Sequence, residues 1–180
     1  MTDGEAAVKL AVELLLMPSR LRFARKQALP PELSLLLHIA AGDEEAAASA
    51  ARGLKRSHEI IIEASRFFIE QILLAPDADS YRVLGASRHA PTRELRRNMA
   101  LLLRSLHPDV EHELRSVFAQ RVTGAWENLK TSERRAAYDR QLDRHERGPE
   151  IEGSHQWSAR PRGSGGRRPA LGAVFGITKR

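Results

Sequence analysis

Residues 91–109, PTRELRRNMALLLRSLHPD, decide how this chain folds. When each residue is turned by about 100°, the apolar side chains gather on one face of a helix and the cations on the opposite face. The apolar face consists of Leu95, Met99, Leu102 and Leu106, and the cationic face of Arg93, Arg96, Arg97 and Arg104. The pattern predicts an amphipathic helix whose apolar face packs on a neighbour and whose arginines face solvent.

A proline marks the end of this helix. Pro108 disfavours helical backbone in the residue before it, so the helix should stop around Leu106. His107, Pro108 and Asp109 would then form an exposed loop. This loop would project an imidazole and a carboxylate from the end of the basic helix.

Three further helices are predicted around this one. Residues 80–85, SYRVLG, suit a short helix that a glycine ends. A longer helix is predicted over Glu113–Asn128, where apolar residues recur at spacings of three and four. These are Leu114, Phe118, Val122, Ala125 and Leu129. Ser132 begins a last helix, whose Tyr138 should pack on the others. Because the connection between the two long helices is short, they should pack antiparallel with the His107 loop at one tip.

In order and spacing, these segments resemble the J-domain family over about a third of the chain. The matching motifs are Tyr81-x-x-Leu84-Gly85, the basic helix, His107-Pro108-Asp109, the pair Ala125-Trp126 and the segment Ser132 to Asp139. The resemblance implies a four-helix, non-enzymatic domain that binds a DnaK-type chaperone and accelerates its ATP hydrolysis. By position, it makes His107, Pro108 and Asp109 the triggering loop. It makes Arg93, Arg96, Arg97 and Arg104 the docking charges, a role that suits arginine because its guanidinium stays ionised.

The sequence departs from the family pattern in the basic helix. Met99 stands where a tyrosine is common, and Ala100 and Leu101 stand where a further basic residue often follows. The zinc-binding cysteines and the Gly/Phe-rich linker of larger members are missing. The resemblance is therefore to the minimal class, which shares only the J-domain.

Two other parts flank the predicted J-domain, which we place at residues 79–142. Residues 1–78 contain several amphipathic helical patterns and end at Pro76 and its neighbouring aspartates, so we expect a separate helical unit there. In residues 143–180 apolar side chains become sparse and Gly, Ser, Pro and Arg dominate, which predicts a disordered basic tail. The fold class is therefore all-α.

Composition limits the classes of function. The chain has no cysteine, which excludes disulfides, thiol catalysis and cysteine-ligated zinc. The amino end is acidic and no apolar run approaches the ~20 residues of a membrane span, so we expect a cytoplasmic protein without a membrane partner. A metal site at His107, Asp109 and His112 would lack a fourth ligand, and we expect neither metal nor cofactor.

Two alternative functions stay open at this point. The net charge of +6 and the arginine-rich tail are compatible with nucleic-acid binding, although no aromatic platform or reading helix accompanies them. A J-like scaffold that kept the fold and lost the ATPase effect is the second alternative, because Met99 departs from the family. The unit at residues 1–78 is a candidate for binding a client, for self-association or for targeting.

Overall fold

The computed structural model describes residues 3–106 and 112–147, and these residues are helical throughout, apart from short connections. The helices are α1 (Asp3–Leu16), α2 (Leu21–Ala24), α3 (Ser34–Ala40), α4 (Glu44–Leu54), α5 (His58–Phe68), α6 (Ser80–Val83), α7 (Thr92–Ser105), α8 (His112–Leu129) and α9 (Ser132–Arg147). A 3-10 turn at Pro18–Arg20 joins α1 to α2, and a π-turn at Ile69–Leu73 continues α5. No strand occurs in the described ranges, so the all-α prediction is confirmed.

Short polar side chains cap several of the helices, and before α9 the Thr131 hydroxyl accepts a hydrogen bond from the Arg134 amide at 3.3 Å. Asp43 accepts a hydrogen bond from the Ala46 amide at 3.0 Å, and Ser57 accepts one from the Ile60 amide at 3.4 Å. The residue that caps α6 is Asp79, whose carboxylate accepts from the amides of the next helical turn. Ser80, the first residue of the predicted segment 80–85, is also the first residue of α6. Gly85 ends this segment with a φ of +58°, a conformation that costs glycine little.

The last helix is longer than predicted. α9 continues to Arg147, so the first residues of the tail predicted at 143–180 are helical. Leu142 still packs on the hydrophobic core, and the Asp143 carboxylate accepts a hydrogen bond from Arg88 at 2.7 Å. These contacts hold the end of the helix against the body of the protein. Residues 148–180 lie outside the described residues, and their predicted disorder stays a prediction.

The two parts of the chain each contain a set of packed helices. In the amino-terminal part α1 and α5 pack along each other, and α3 and α4 pack against both. In the second part α7 and α8 pack together, α6 lies against α8, and α9 packs on α8 as well. The connection from α7 to α8 is short, so the two helices form the predicted antiparallel hairpin.

The carboxyl end of α5 is where the two parts meet. In the π-turn the Leu74 amide donates to the Ile69 carbonyl at 2.8 Å, and carbonyl groups further along are left without helical partners. Guanidinium groups from three other elements donate to these carbonyls. The acceptors are Gln71 for Arg25 at 2.8 Å, Ile72 for Arg82 at 3.3 Å and Ala75 for Arg121 at 2.5 Å. Cations are favourable at a helix carboxyl end, so this arrangement stabilises both the turn and the junction.

A shared hydrophobic core also joins the two parts. α3 packs directly against α7, and the buried leucines of both helices belong to one cluster. At the joint a Cβ added to Gly85 would lie 3.3 Å from the Leu33 side chain and 3.4 Å from that of Leu73. Side chains that precede residue 78 and side chains that follow it fill the same core. The amino-terminal helices therefore pack against the helices of the second part. The domain boundary near residue 78 itself stays a prediction.

None of the helices in residues 3–106 and 112–147 is both long enough and apolar enough to cross a membrane.

Arg82→Met tests whether the junction couples the two parts. In addition to Ile72, the Arg82 guanidinium donates to the carbonyls of Gln27 at 2.9 Å and Ala24 at 3.1 Å. Methionine keeps much of the apolar stem and removes every donor, so we expect a loss of about 1–3 kcal/mol in the free energy of unfolding. Chemical denaturation measures the loss.

Arg93→Met is the matched control, because Arg93 is exposed on α7 and its loss should change stability by less than about 0.5 kcal/mol. Equal stability of the Arg82 and Arg93 variants would contradict the role given to the junction.

Candidate functional site

The four arginines predicted to face solvent on α7 are all exposed. None of them forms an ion pair or hydrogen bond with another side chain in the part of the chain that the structure describes. We call this surface the arginine strip; it consists of Arg93, Arg96, Arg97 and Arg104. Ala100 is exposed among them, and Leu103, which is 37% exposed, lies at one border. The strip is therefore a cationic surface whose charges are not used within the described fold.

The strip is exposed because α7 buries the rest of its circumference. Leu95 and Leu102 are fully buried on one face of the helix. Asn98 and Ser105 are also buried, and they lie roughly 60–80° around the helix from Leu95. α7 packs against both α8 and α3, and the end of α6 contacts Asn98. The arginines occupy the remaining arc.

Asn98 holds α7 in place from inside the core. Its Nδ2 donates to the carbonyls of Leu84 at 3.0 Å and Gly85 at 3.2 Å, which ties the middle of α7 to the end of α6. Sequence periodicity does not reveal this buried residue, because it separates only an apolar face from a charged one. The available signal was a short uncharged amide within a run of arginines, one turn after Leu95.

A cluster of polar side chains fixes the segment that leads into α7. The Tyr81 hydroxyl donates to the Asp139 carboxylate at 2.7 Å and accepts from Arg135 Nε at 3.0 Å. The other nitrogens of Arg135 donate to the carbonyls of Ala90 at 2.8 Å and Arg88 at 2.6 Å. Both carbonyls lie just before α7 begins. Arg135 therefore connects α9, α6 and the start of the arginine strip.

Tyr138 also acts in this cluster, in agreement with its predicted packing. Its hydroxyl accepts a hydrogen bond from the Ser80 amide at 2.7 Å, and its ring meets the Tyr81 ring edge to face at 6.0 Å. The Arg135 guanidinium lies 5.3 Å from the centre of the Tyr81 ring. These contacts connect two tyrosines that lie far apart in sequence, and they join α6 to α9.

The predicted His107-Pro108-Asp109 loop lies outside the described residues. The structure confirms the helix end before it, since α7 stops at Ser105 and Leu106 has a non-helical ψ of 73°. α8 then begins at His112. The loop therefore occupies the connection between the two helices of the hairpin, at the carboxyl end of the arginine strip.

No group of three or more His, Asp or Glu side chains in the described ranges could hold a metal ion. The alternative ligand set of His107, Asp109 and His112 involves side chains that the structure does not describe. What the described geometry offers is a charged surface for contact with a partner.

Residues 79–139 match the family model of the DnaJ domain. The chain therefore contains a DnaJ domain, and the predicted resemblance is confirmed over the segment from which it was drawn. The matched range begins at Asp79, the residue that caps α6, and ends at Asp139, the acceptor of the Tyr81 hydroxyl. The polar cluster at the entry to α7 thus joins the two ends of the matched segment.

Relatives with the same domain are chaperones or DNA-binding proteins by name. The Curved DNA-binding protein of Coxiella burnetii is 37% identical over 89 residues, which cover 48% of this chain and 28% of that protein. The Chaperone protein DnaJ of Thermosipho africanus is 37% identical over 65 residues, which cover 34% of this chain and 17% of that protein. The similarity thus spans less than a third of either relative. No solved structure gives a significant match.

Tyr81→Phe tests the polar cluster. Burial raises the pKa of the Tyr81 phenol above its ordinary value near 10, and the hydrogen bond to Asp139 raises it further. A raised folded-state pKa contributes stability that is present below pH ~10 and is lost as the pH rises through the folded pKa. We therefore expect Tyr81→Phe to cost about 1–2 kcal/mol at neutral pH and to reduce the loss of stability at alkaline pH.

Denaturation curves between pH 7 and 11 measure both effects. Tyr138→Phe is the control, because it also removes a phenol from the cluster but leaves the Tyr81–Asp139 bond intact. If the alkaline loss were the same in the parent and in both variants, the Tyr81 bond would not be its cause.

Proposed function

We propose that this protein binds a DnaK-type chaperone through the arginine strip and stimulates its ATP hydrolysis through His107, Pro108 and Asp109. The family match supports a co-chaperone role in general, since J-domain proteins as a class work with DnaK-type chaperones. The observation that carries the finer proposal is the arginine strip itself. Its four cations are exposed, lack partners in the described fold and lead along α7 to the His107 loop.

The physical role of the strip is to guide and orient the partner. Arginine presents a planar donor fork that matches carboxylates, so an acidic surface on the chaperone would meet it in a defined orientation. Exposed charges act largely on the rate of encounter and lose strength as salt rises. Because α7 packs against α3 and α8, its four arginines would keep fixed positions relative to one another during docking.

The His107 loop would act once the strip is engaged. Pro108 restricts the backbone, which would hold the imidazole of His107 and the carboxylate of Asp109 in a fixed relation to the end of α7. Those groups would contact the chaperone and shift it towards its hydrolytic state. The chemistry would take place in the chaperone, so the J-domain needs neither a catalytic pocket nor a cofactor of its own.

Ala100 and Leu101 stand where family members often have a further basic residue, and this affects the expected strength of chaperone binding. Ala100 is exposed within the strip and adds no charge, while Leu101 is half-buried and packs on the core. Fewer cations face the partner than in family members with a basic residue there. We expect docking that depends strongly on the four arginines that are present.

His107→Gln is the test of the triggering loop. Glutamine keeps hydrogen-bonding capacity but lacks the imidazole, so stimulation of a DnaK-type ATPase should fall by at least tenfold while stability changes by about 0.5 kcal/mol or less. Single-turnover hydrolysis with the chaperone in excess measures stimulation, and circular dichroism checks the fold. His145→Gln is the matched control on α9, where the imidazole is exposed.

Full stimulation by the His107→Gln protein would overturn the proposed mechanism. Absence of stimulation by the parent protein, with the fold intact, would favour the scaffold alternative.

Replacing Arg96 and Arg97 together by glutamine tests the strip. Both side chains are exposed, so the domain should stay folded, and loss of two docking charges should weaken chaperone binding by roughly tenfold at low salt. The difference from the parent should shrink as salt rises. Affinity is measured at two salt concentrations.

The matched control is the double change of Arg140 and Arg144 to glutamine, which removes the same charge from the exposed side of α9. An equal loss of affinity in both doubles would show that net charge, rather than the strip, governs binding.

A further inference from the structure

Large apolar side chains are exposed together where α1 turns into α2. Leu16 is 57% exposed, Met17 45% and Phe23 67%, which makes them three of the five large hydrophobic residues exposed in the described ranges. We call residues 16–26 the α1–α2 corner. Isolated exposed apolar residues are common on soluble proteins, but three within eight consecutive residues form a patch that favours contact with another surface.

The charged residues within the corner itself are all positive. Arg20, Arg22 and Lys26 are exposed in the corner, and the sequence has no acidic residue between Glu13 and Glu32. Arg20 makes one weak contact with Glu13, at 3.4 Å between exposed side chains. The corner thus combines protruding apolar groups with cations.

The fold holds the corner in this exposed position. Arg25 is directed inward and donates to the carbonyl and the side-chain amide of Gln71, at 2.8 and 3.1 Å. Leu21 and Ala24 are partly buried and pack against the core. With these residues fixed on the inner side of α2, Phe23 faces solvent. The exposure of Phe23 therefore follows from how α2 is attached to α5.

We propose that the α1–α2 corner binds the surface of an anionic lipid bilayer. Leu16, Met17 and Phe23 would enter the boundary between headgroups and acyl chains, and the cations would lie among the anionic headgroups. Amphipathic segments with basic and apolar residues bind membranes in this way, without crossing them. The sequence analysis predicted no membrane partner because no segment could span one, and surface binding needs no span.

The apolar residues favour lipid over nucleic acid as the partner. A phosphate backbone would be neutralised by Arg22 and Lys26 equally well, but it offers no apolar medium for Leu16 and Met17. A bilayer accommodates both features of the corner at once. The arginine strip of α7, by contrast, has cations with only Leu103 partly exposed at its border.

Co-sedimentation of the full chain with vesicles tests this proposal. Vesicles of phosphatidylcholine with 30% phosphatidylglycerol should bind the protein, and vesicles of phosphatidylcholine alone should bind it at least tenfold less. Phe23→Ser should weaken binding to the anionic vesicles by roughly tenfold. Arg22→Gln combined with Lys26→Gln should weaken it by about twentyfold. All variants keep residues 148–180, so the cations of that segment are the same throughout.

Matched controls separate the corner from general surface properties. Val117→Ser removes an apolar side chain that is 51% exposed on α8, and the double change of Arg140 and Arg144 to glutamine removes two exposed cations from α9. Both controls should bind vesicles as the parent does. Thermal melting of each protein confirms that the variants are folded.

Insertion of residue 23 into the bilayer can be detected directly by fluorescence. Phe23→Trp places an indole at the corner, and lipids with brominated acyl chains should quench its fluorescence, whereas Val117→Trp should show no added quenching. Equal binding of the parent and Phe23→Ser proteins, or equal quenching at positions 23 and 117, would overturn the proposal. So would binding to duplex DNA that the Arg22 and Lys26 changes abolish while vesicle binding stays unchanged.

Discussion

The burial of two adjacent faces of α7 is the constraint on which the rest of the structure depends. One face carries Leu95 and Leu102, which are fully buried, and each fully buried aliphatic side chain contributes about 1.5–3 kcal/mol relative to an exposed one. The second face carries Asn98 and Ser105, which are also buried, and α7 packs against both α8 and α3. Once both faces are fixed, the arginines can occupy only the remaining arc. The orientation of the proposed docking surface therefore follows from core packing.

Arginine serves two distinct purposes in this fold. Arg25, Arg82 and Arg121 donate to backbone carbonyls at the carboxyl end of α5, and Arg135 does so before α7. These guanidinium groups compensate carbonyls that helical hydrogen bonds leave unpaired, and they join segments distant in sequence. The arginines of the strip have no such partners among the described residues. The positive charge of this chain is thus divided between guanidinium groups that stabilise the fold and cations that remain exposed on its surface.

The attachment of the amino-terminal helices gives the DnaJ domain a fixed neighbour. α3 packs against α7 of this domain, in addition to the contacts that α7 makes with α8 and with the end of α6. The shared core and the Arg82 contacts mean that a partner bound at the α1–α2 corner would hold the DnaJ domain close to it. Binding at the corner would thereby place the proposed chaperone-binding surface close to the partner.

The sequence by itself determined the local elements of the DnaJ domain. The apolar spacing in residues 91–106 predicted the helix and its exposed cations, and Pro108 predicted where the helix ends. Motifs such as Tyr81-x-x-Leu84-Gly85 indicated the DnaJ domain. These features depend on side-chain periodicity and backbone preferences within a few residues, which a sequence displays directly. The loop from His107 to Asp109 was predicted in the same way, and it lies outside the described residues.

Only the tertiary structure decided which polar residues are internal. Asn98 is buried because α3 and the end of α6 meet at its position, and Arg82 is directed to carbonyls of residues far away in the chain. In sequence, Arg82 and Arg93 are both arginines of helices, and nothing local distinguishes a carbonyl-bound cation from a solvated one. Tyr81 and Asp139 likewise meet only after the chain has folded back on itself. Burial and long-range hydrogen bonds depend on which elements pack together. That packing is decided by residues throughout the core and not by neighbours in the sequence.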